Sequence, residues 1–194
     1  EEISHHKPIL LMKAGGTSAG AKAASSHTGS MAGSETAYDV VFQRAGIVRC
    51  DSVKTQFDWA QAFAYQPLPA GTKVAIVTNA GGAGIMATDA VERESLSFAK
   101  FSEETSRKLS ENLPPAANVN NPVDILGDAL ADRYEFALDA VLSDEDVDVV
   151  LVLLTPQAMT DCPGTARAVV AASERHGDKP VLACFLGGEK VAEA

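Results

Sequence analysis

The run Val147-Asp148-Val149-Val150-Leu151-Val152-Leu153-Leu154 constrains the fold more than any other stretch of the chain. Seven of these eight residues are aliphatic. A strand with one wet face would alternate polar and apolar residues; a continuous apolar run must be covered on both faces. Shorter apolar runs at 9–12, 47–50, 73–78, 96–99 and 180–185 read as further strands, and segments with helical spacing lie between them. Strands of this kind alternating with helices imply parallel sheets with helices on both sides, so the expected class is α/β.

Two series of such elements are legible. In the first, the strand at 9–12 runs into a long loop at 14–33. Ser34 then caps a helix that ends at Gly46 and buries Ala37, Val40, Val41 and Ala45. After the strand at 47–50, Asp51 or Ser52 opens a helix with Val53, Phe57, Ala60 and Ala64 on its buried side. The stretch Gln66-Pro67-Leu68-Pro69-Ala70-Gly71 breaks the pattern and sets a domain boundary: 1–66, a linker at 67–71, and 72–194. In the second series the strand at 73–78 is followed by a glycine turn at 79–84 and a helix over 85–94. A strand at 96–99 leads to a helix capped by Ser102 and stopped by Leu113-Pro114-Pro115. An Asn/Pro/Gly loop at 118–128 precedes a helix opened by Asp132 and Glu135 at capping-box spacing, and a last helix spans 164–175. The first 70 residues supply about two strands, against the usual four to six of a sheet, so the first unit is expected to be incomplete.

The net charge of −10 argues against binding to nucleic acid or to an anionic membrane, both of which need a basic face. No apolar run is long enough to cross a bilayer and no leader pattern opens the chain, so a cytoplasmic location is expected. Cys50, Cys162 and Cys184 are odd in number and far apart, which suits free thiols; no metal site is expected from them. Residues 1–50 carry a net +1 and the remainder −11, so the N-terminal region repels an anion least.

Ligands of open parallel sheets sit beyond the carboxyl ends of the strands, where helix N-termini offer free amides and a favourable dipole. Three segments meet that rule: 14–33, 79–84 and 155–163. In the first, only Lys22, His27 and Met31 depart from Ala, Gly, Ser and Thr. Small residues let a polyanion approach the backbone, Ser25, Ser26, Thr28 and Ser30 add hydroxyl donors, and imidazole can accept and release a phosphoryl group at neutral pH. The competing reading makes His27 an ordinary solvated loop residue. At Thr78-Asn79-Ala80-Gly81-Gly82-Ala83-Gly84, the amides of Gly81, Gly82 and Ala83 face an anion, or the glycines serve only a sharp turn and close helix packing; both readings stand. No Gly-Lys-Ser/Thr follows, which excludes a Walker loop. Thr155 and Gln157, in Leu154-Thr155-Pro156-Gln157, form a weaker third candidate.

The stretches "KPILLMKAGGTSAGAKAASSHTGSMAGS", "AIVTNAGGAGIMATDA", "LPPAANVNNPVDILGDA" and "VLLTPQAMTD" span nearly the whole chain. Together they resemble the nucleoside-diphosphate-forming acyl-CoA synthetases, the ADP-forming acetate–CoA ligase group of the succinyl-CoA synthetase superfamily. The resemblance implies flavodoxin-like domains, the first incomplete, and makes His27 the residue phosphorylated in turnover. It implies an acyl phosphate, a phosphohistidine and regeneration of nucleoside triphosphate, all reversibly. Ser26, Thr28, Gly29, Ser30, Gly81, Gly82, Thr155 and Gln157 become the candidate phosphate-binding residues. Two helix N-termini would hold the phosphoryl group, one from each domain, the second corresponding to the helix after Thr155-Pro156-Gln157. CoA, ATP or ADP and magnesium are the cofactors of the complete enzyme, none of them expected to bind tightly to this chain alone. The implied partners are a CoA-binding domain, an ATP-grasp domain or subunit and a small carboxylic acid, in an oligomer.

Two other classes compete. A synthetase-like region also serves as a regulatory module of some protein lysine acetyltransferases, but a non-catalytic copy has no need of His27. A flavodoxin-like electron carrier would want aromatic residues to sandwich a flavin, and aromatics make up 6% of the chain.

Overall fold

A computed structural model describes residues 2–28 and 34–194, with His27 and Thr28 described in their backbone alone. The chain divides into two compact units, Glu1–Tyr65 and Gln66–Ala194.

In the first unit β1 (Ile9–Leu11) pairs in parallel with β2 (Ile47–Arg49), in register from Ile9 opposite Ile47 to Leu11 opposite Arg49. Between them come α1 (Ser18–Thr28) and α2 (Glu35–Ala45), and α3 (Val53–Tyr65) follows β2. The expected loop at 14–33 is therefore corrected: its middle is a helix. Thr17 opens it, its hydroxyl accepting from the Gly20 amide at 3.1 Å and its carbonyl from the Ala21 amide at 2.8 Å. Ala19, Ala21, Ala23 and Ala24 then supply the strongest helix-forming residue type, without any apolar stripe that would reveal the helix by periodicity.

The faces expected for the next two helices are corrected as well. On α2 Phe42 is the buried residue, tilted against the Tyr38 ring with centroids 5.8 Å apart, while Ala37, Val40 and Val41 are exposed and Ala45 is half-buried. On α3 no residue is buried, and Val53, Phe57, Ala60 and Ala64 face outward. A sheet of two strands is too narrow to cover these faces; Gln56 instead turns toward β1, donating to the Leu10 carbonyl. Gly46 ends α2 at φ 64°, the left-handed geometry of a helix C-terminus.

The second unit holds a five-stranded parallel sheet. Its central strand, β3 (Lys73–Thr78), is buried from Val74 to Thr78 and pairs over five positions with β6 (Val149–Leu154), which pairs over five with β7 (Val181–Phe185). The other edge of β3 is shared. β4 (Ser97–Phe98) pairs with Lys73 and Val74, and β5 (Val123–Asp124), which lies inside the expected 118–128 loop, pairs with Val77 and Thr78. Between them the Asn121 side chain completes the ladder. Its Oδ1 accepts from the Ile76 amide at 3.0 Å, and its Nδ2 donates to the carbonyls of Val74 at 2.8 Å and Ala99 at 3.1 Å. The Ile76 amide and the Ala99 carbonyl, which neither short strand reaches, are thereby satisfied, and the Val74 carbonyl, which also accepts from the Ala99 amide at 3.0 Å, gains a second donor.

Helices cover both faces. α4 (Gly81–Arg93) lies on one, where Val91 packs with Val74, Ile76 and Leu153. α5 (Glu103–Asn112), α6 (Ala131–Leu142) and α7 (Cys162–Arg175) lie on the other, where Leu109, Leu138, Val141, Val169 and Ala172 join Ala75, Val77, Val150, Val152 and Leu154 in the main core. Ser102 caps α5 as the sequence indicates, accepting from the Thr105 amide. The Asp132–Glu135 box does not form: Leu130 occupies the N-cap of α6 and no side chain caps it. α7 starts two residues earlier than expected, capped by Asp161, whose carboxylate accepts from the Gly164 amide at 2.9 Å. Residues 66–71 cluster with this unit; the Gln66 amide oxygen accepts from the Val181 amide at 2.9 Å. No helix among the described residues is long and apolar enough to cross a membrane.

Asn121→Ala removes three hydrogen bonds and leaves buried backbone groups unpaired, so it is expected to lower unfolding stability by about 2 to 4 kcal/mol. Urea denaturation measures it, with the loss appearing in the midpoint.

Candidate functional site

The expected site residues fall in both units. In the first, Ser26, His27 and Thr28 form the last turn of α1, and Gly29 and Ser30 lie outside the described residues. Ser26 is exposed and its hydroxyl donates to the Lys22 carbonyl at 2.6 Å, a bond internal to the helix. Two of the cations of this region are already engaged. Lys13, just past β1, and Arg49, at the end of β2, both bond Glu35 in the first turn of α2, and Arg49 also bonds Asp39. The Lys13 ammonium further lies 4.6 Å from the centre of the Tyr38 ring. Hydrogen bonds from Lys13 and then Arg49 hold the Glu35 carboxyl below its ordinary range. Among the described residues, then, the strand ends of this unit carry a closed ion-pair network around the start of α2.

In the second unit Gly81, Gly82, Thr155 and Gln157 come together at the carboxyl ends of β3 and β6. The glycine stretch is the first turn of α4, whose first backbone bond runs from the Gly84 amide to the Ala80 carbonyl; the amides of Gly81, Gly82 and Ala83 precede it. Ala80, at the N-cap, has no side chain to satisfy them. The two readings of the glycines divide by position. A Cβ at Gly84 would stand 3.2 Å from Thr78 Cγ2, so this residue serves close packing, whereas a Cβ at Gly82 would meet nothing within 4 Å. Gly81 is different again, for its Cβ would stand 3.2 Å from Asp124 Oδ2. A carboxylate thus lies beside the start of α4, where it favours the helix dipole.

Thr155 and Gln157 precede α7 by several residues, and that helix start is already capped by Asp161. What positions them is Asn79, 1% exposed, at the end of β3. Its Nδ2 donates to the Thr155 carbonyl at 2.9 Å and its Oδ1 accepts from the Thr155 amide at 2.8 Å. The Gln157 side chain rests against Gly127, which also adjoins the Asn79 carbonyl, and the Gln157 backbone N–H donates to Thr160 Oγ1 at 2.8 Å. Beneath them, the buried Tyr134 hydroxyl donates to the Leu153 carbonyl at 2.9 Å and interacts with the Asn79 backbone amide. Asn79, Asp124 and Tyr134 were missed as site residues by sequence reasoning. Asn79 stands in the glycine stretch and Asp124 in "NNPVDILGD", but nothing in their spacing indicates that three separate loops converge.

An α/β scaffold with exposed helix-start amides at the carboxyl ends of parallel strands defines a class of anion-handling folds. The chain belongs to the Ligase-CoA domain family, which matches residues 74–194; the succinyl-CoA ligase like flavodoxin domain matches residues 1–63. Over 194 residues the chain is 45% identical to the ADP-forming acetate–CoA ligase I of Archaeoglobus fulgidus, covering all of this chain and 27% of that protein. It is 38% identical to the alpha subunit of the ADP-forming acetate–CoA ligase I of Pyrococcus furiosus, covering all of this chain and 42% of that subunit. The chain therefore spans less than half the length of these relatives. A dinucleotide-forming acetyl-coenzyme A synthetase 1 from Ca. Korarchaeum cryptofilum, solved with phosphate and ADP, superposes with a TM-score of 0.91 at 39% identity, over 99% of this chain and 42% of that one.

Burial pushes the ionisation of Tyr134 well above the ordinary value of a tyrosine, and the Asn79 amide offsets only part of this. The unfolded chain ionises near pH 10 while the native hydroxyl stays protonated, so stability is level below that pH and falls as pH rises above it. Tyr134→Phe is expected to cost about 1 to 2 kcal/mol at neutral pH, through the lost bond to Leu153, and to weaken the alkaline decline. Denaturant unfolding at neutral pH and above about pH 10 tests both.

Proposed function

We propose that this chain is the phosphoryl-carrying and phosphate-holding part of a nucleotide-forming acid–thiol ligase, which interconverts acyl-CoA, NDP and phosphate with a carboxylic acid, CoA and NTP. The observation that carries this reading is the match through both units to ADP-forming acetate–CoA ligases, with His27 on the chain. Residues 1–66 would be the C-terminal part of the phosphohistidine-bearing domain, and 72–194 the second flavodoxin-like domain.

Phosphate oxygen attacks the thioester carbonyl, the C–S bond breaks, and CoA leaves as the thiol with a proton taken up. The mixed anhydride then gives its phosphoryl group to a neutral nitrogen of His27, and the carboxylate leaves. The terminal oxygen of NDP finally takes the phosphoryl group, restoring the imidazole. This chain's residues have two tasks. His27 would hold the phosphoryl group between donor and acceptor, with its sequence neighbours Ser26, Thr28, Gly29 and Ser30 as the proposed phosphate-binding residues. The amides of Gly81 and Gly82, with Thr155 and Gln157, hold phosphate at the second unit.

CoA and nucleotide would bind mainly on the CoA-binding and ATP-grasp parts of the assembled enzyme. Among the described residues no group of three His, Cys, Asp or Glu side chains could hold a metal ion. Magnesium would bind with the nucleotide on the ATP-grasp part of the assembled enzyme.

In the assembled enzyme, incubation with acyl-CoA and labelled phosphate should place an acid-labile phosphoryl group on His27. His27→Ala should abolish the label and lower net NTP formation by at least about a thousandfold. Undiminished turnover in that variant would overturn the assignment.

A further inference from the structure

The two loops of the second unit that the proposed function uses are joined through one buried side chain. Asn79 satisfies both its amide oxygen and its amide nitrogen on Thr155, a residue 76 positions away in sequence, at 2.8 and 2.9 Å. An amide of this kind has one carbonyl and one NH2 end, and a backbone residue presents one donor and one acceptor. The pairing is thus a closed two-bond exchange, in which Asn79 stands in for one more rung of the β3–β6 ladder just beyond its last register pair, Thr78 opposite Leu153. Pairing of that kind fixes Thr155 in both distance and rotation, where a single bond would leave it free to swing.

Two neighbouring contacts hold Asn79 itself. The Thr78 hydroxyl donates to the Ala80 carbonyl and accepts from the Ala80 amide, both at 3.1 Å, which locks the backbone on either side of Asn79. The Tyr134 hydroxyl interacts with the Asn79 amide and donates to the Leu153 carbonyl, tying the same two strand ends from below. Asn79 is two residues before Gly81, so whatever fixes Thr155 to Asn79 fixes it to the start of α4.

We infer that Asn79 is a positioning residue for phosphate: through its two-bond exchange with Thr155 it sets the Thr155–Gln157 segment at a fixed place relative to the free amides of α4. The inference rests on the proposed phosphate-holding role of Gly81, Gly82, Thr155 and Gln157. Asn79 touches no phosphate; it acts by holding the segments that do. A slackened segment weakens an anion site built from several backbone groups, because their donors must converge on one point.

Asn121 supplies a matched control. It too is an asparagine bridging backbone groups, half-buried where Asn79 is buried, and it does so at Val74, Ile76 and Ala99, on the side of β3 away from the site. In the assembled enzyme, Asn79→Ala and the milder Asn79→Ser are compared with Asn121→Ala. Thermal unfolding is recorded for each, and KM is measured separately for inorganic phosphate, CoA and NDP. Asn79→Ala should raise KM for phosphate about tenfold or more and Asn79→Ser by a smaller factor, with KM for CoA and NDP unchanged within about twofold. Asn121→Ala should lower thermal stability at least as much and leave KM for phosphate within about twofold. If both Asn79 variants keep the wild-type KM for phosphate, or shift it no more than Asn121→Ala, the inference is overturned. A wild-type enzyme that makes no phosphohistidine would instead defeat the functional reading on which it rests, and the two failures are separate.

Discussion

The second unit depends on the pairing of β3 along both edges. β3 is buried from Val74 to Thr78, so every amide and carbonyl on it must find a partner inside the protein. β6 satisfies one edge completely, over five residue pairs. The other edge is met by two-residue strands, β4 at its start and β5 at its end, with the Asn121 amide between them. This arrangement sets where the chain goes next. Because β5 rather than β4 reaches the carboxyl end of β3, Asp124 and the turn after it are delivered beside the start of α4, and the candidate site gains a loop it would otherwise lack.

Legibility in the sequence followed how much each element relies on apolar burial. β3, β6 and β7 were legible because strands covered on both faces must be continuously apolar. The proline-rich stretch at 66–71 follows the point where the structure divides the chain, between Tyr65 and Gln66, and clusters with the second unit. Ser102 and Gly46 announced helix ends because their cap chemistry is local. β5 was not legible, since two residues carry no period, and its partner side chain Asn121 is chosen by tertiary geometry. α1 escaped because alanine forms helix by propensity and leaves no stripe. The faces of α2 and α3 were misassigned for the opposite reason: Val40, Val41, Val53 and Phe57 have the periodicity of a buried stripe, yet two strands offer too little surface to bury them.

The candidate site was half legible. Glycine and small-residue composition pointed to Gly81, Gly82 and the segment around His27, because helix-start amides and close backbone approach leave a mark in composition. Asn79 and Asp124 left none. Each takes its meaning from a partner far away in sequence, Thr155 in one case and Gly81 in the other. A polar residue at a strand end is ordinary until the fold shows what it faces.

Asp124 also bears on how the proposed phosphate site could work in both directions. Free amides and the α4 dipole favour an anion, and with nothing to oppose them they would hold phosphate tightly. The Asp124 carboxylate, adjacent to Gly81, adds a like charge to that neighbourhood and raises the free energy of a bound dianion. Binding equally tight in ground and transition states gives no acceleration, and a phosphoryl group held too firmly cannot be passed on. In the first unit the ion pairs of Glu35 with Lys13 and Arg49 work the same way, since each cation already has a carboxylate partner and an arriving anion must compete with it. Both units thus place a carboxylate at or beside a helix start, and the reversible phosphoryl carrier proposed above would need the moderation this gives.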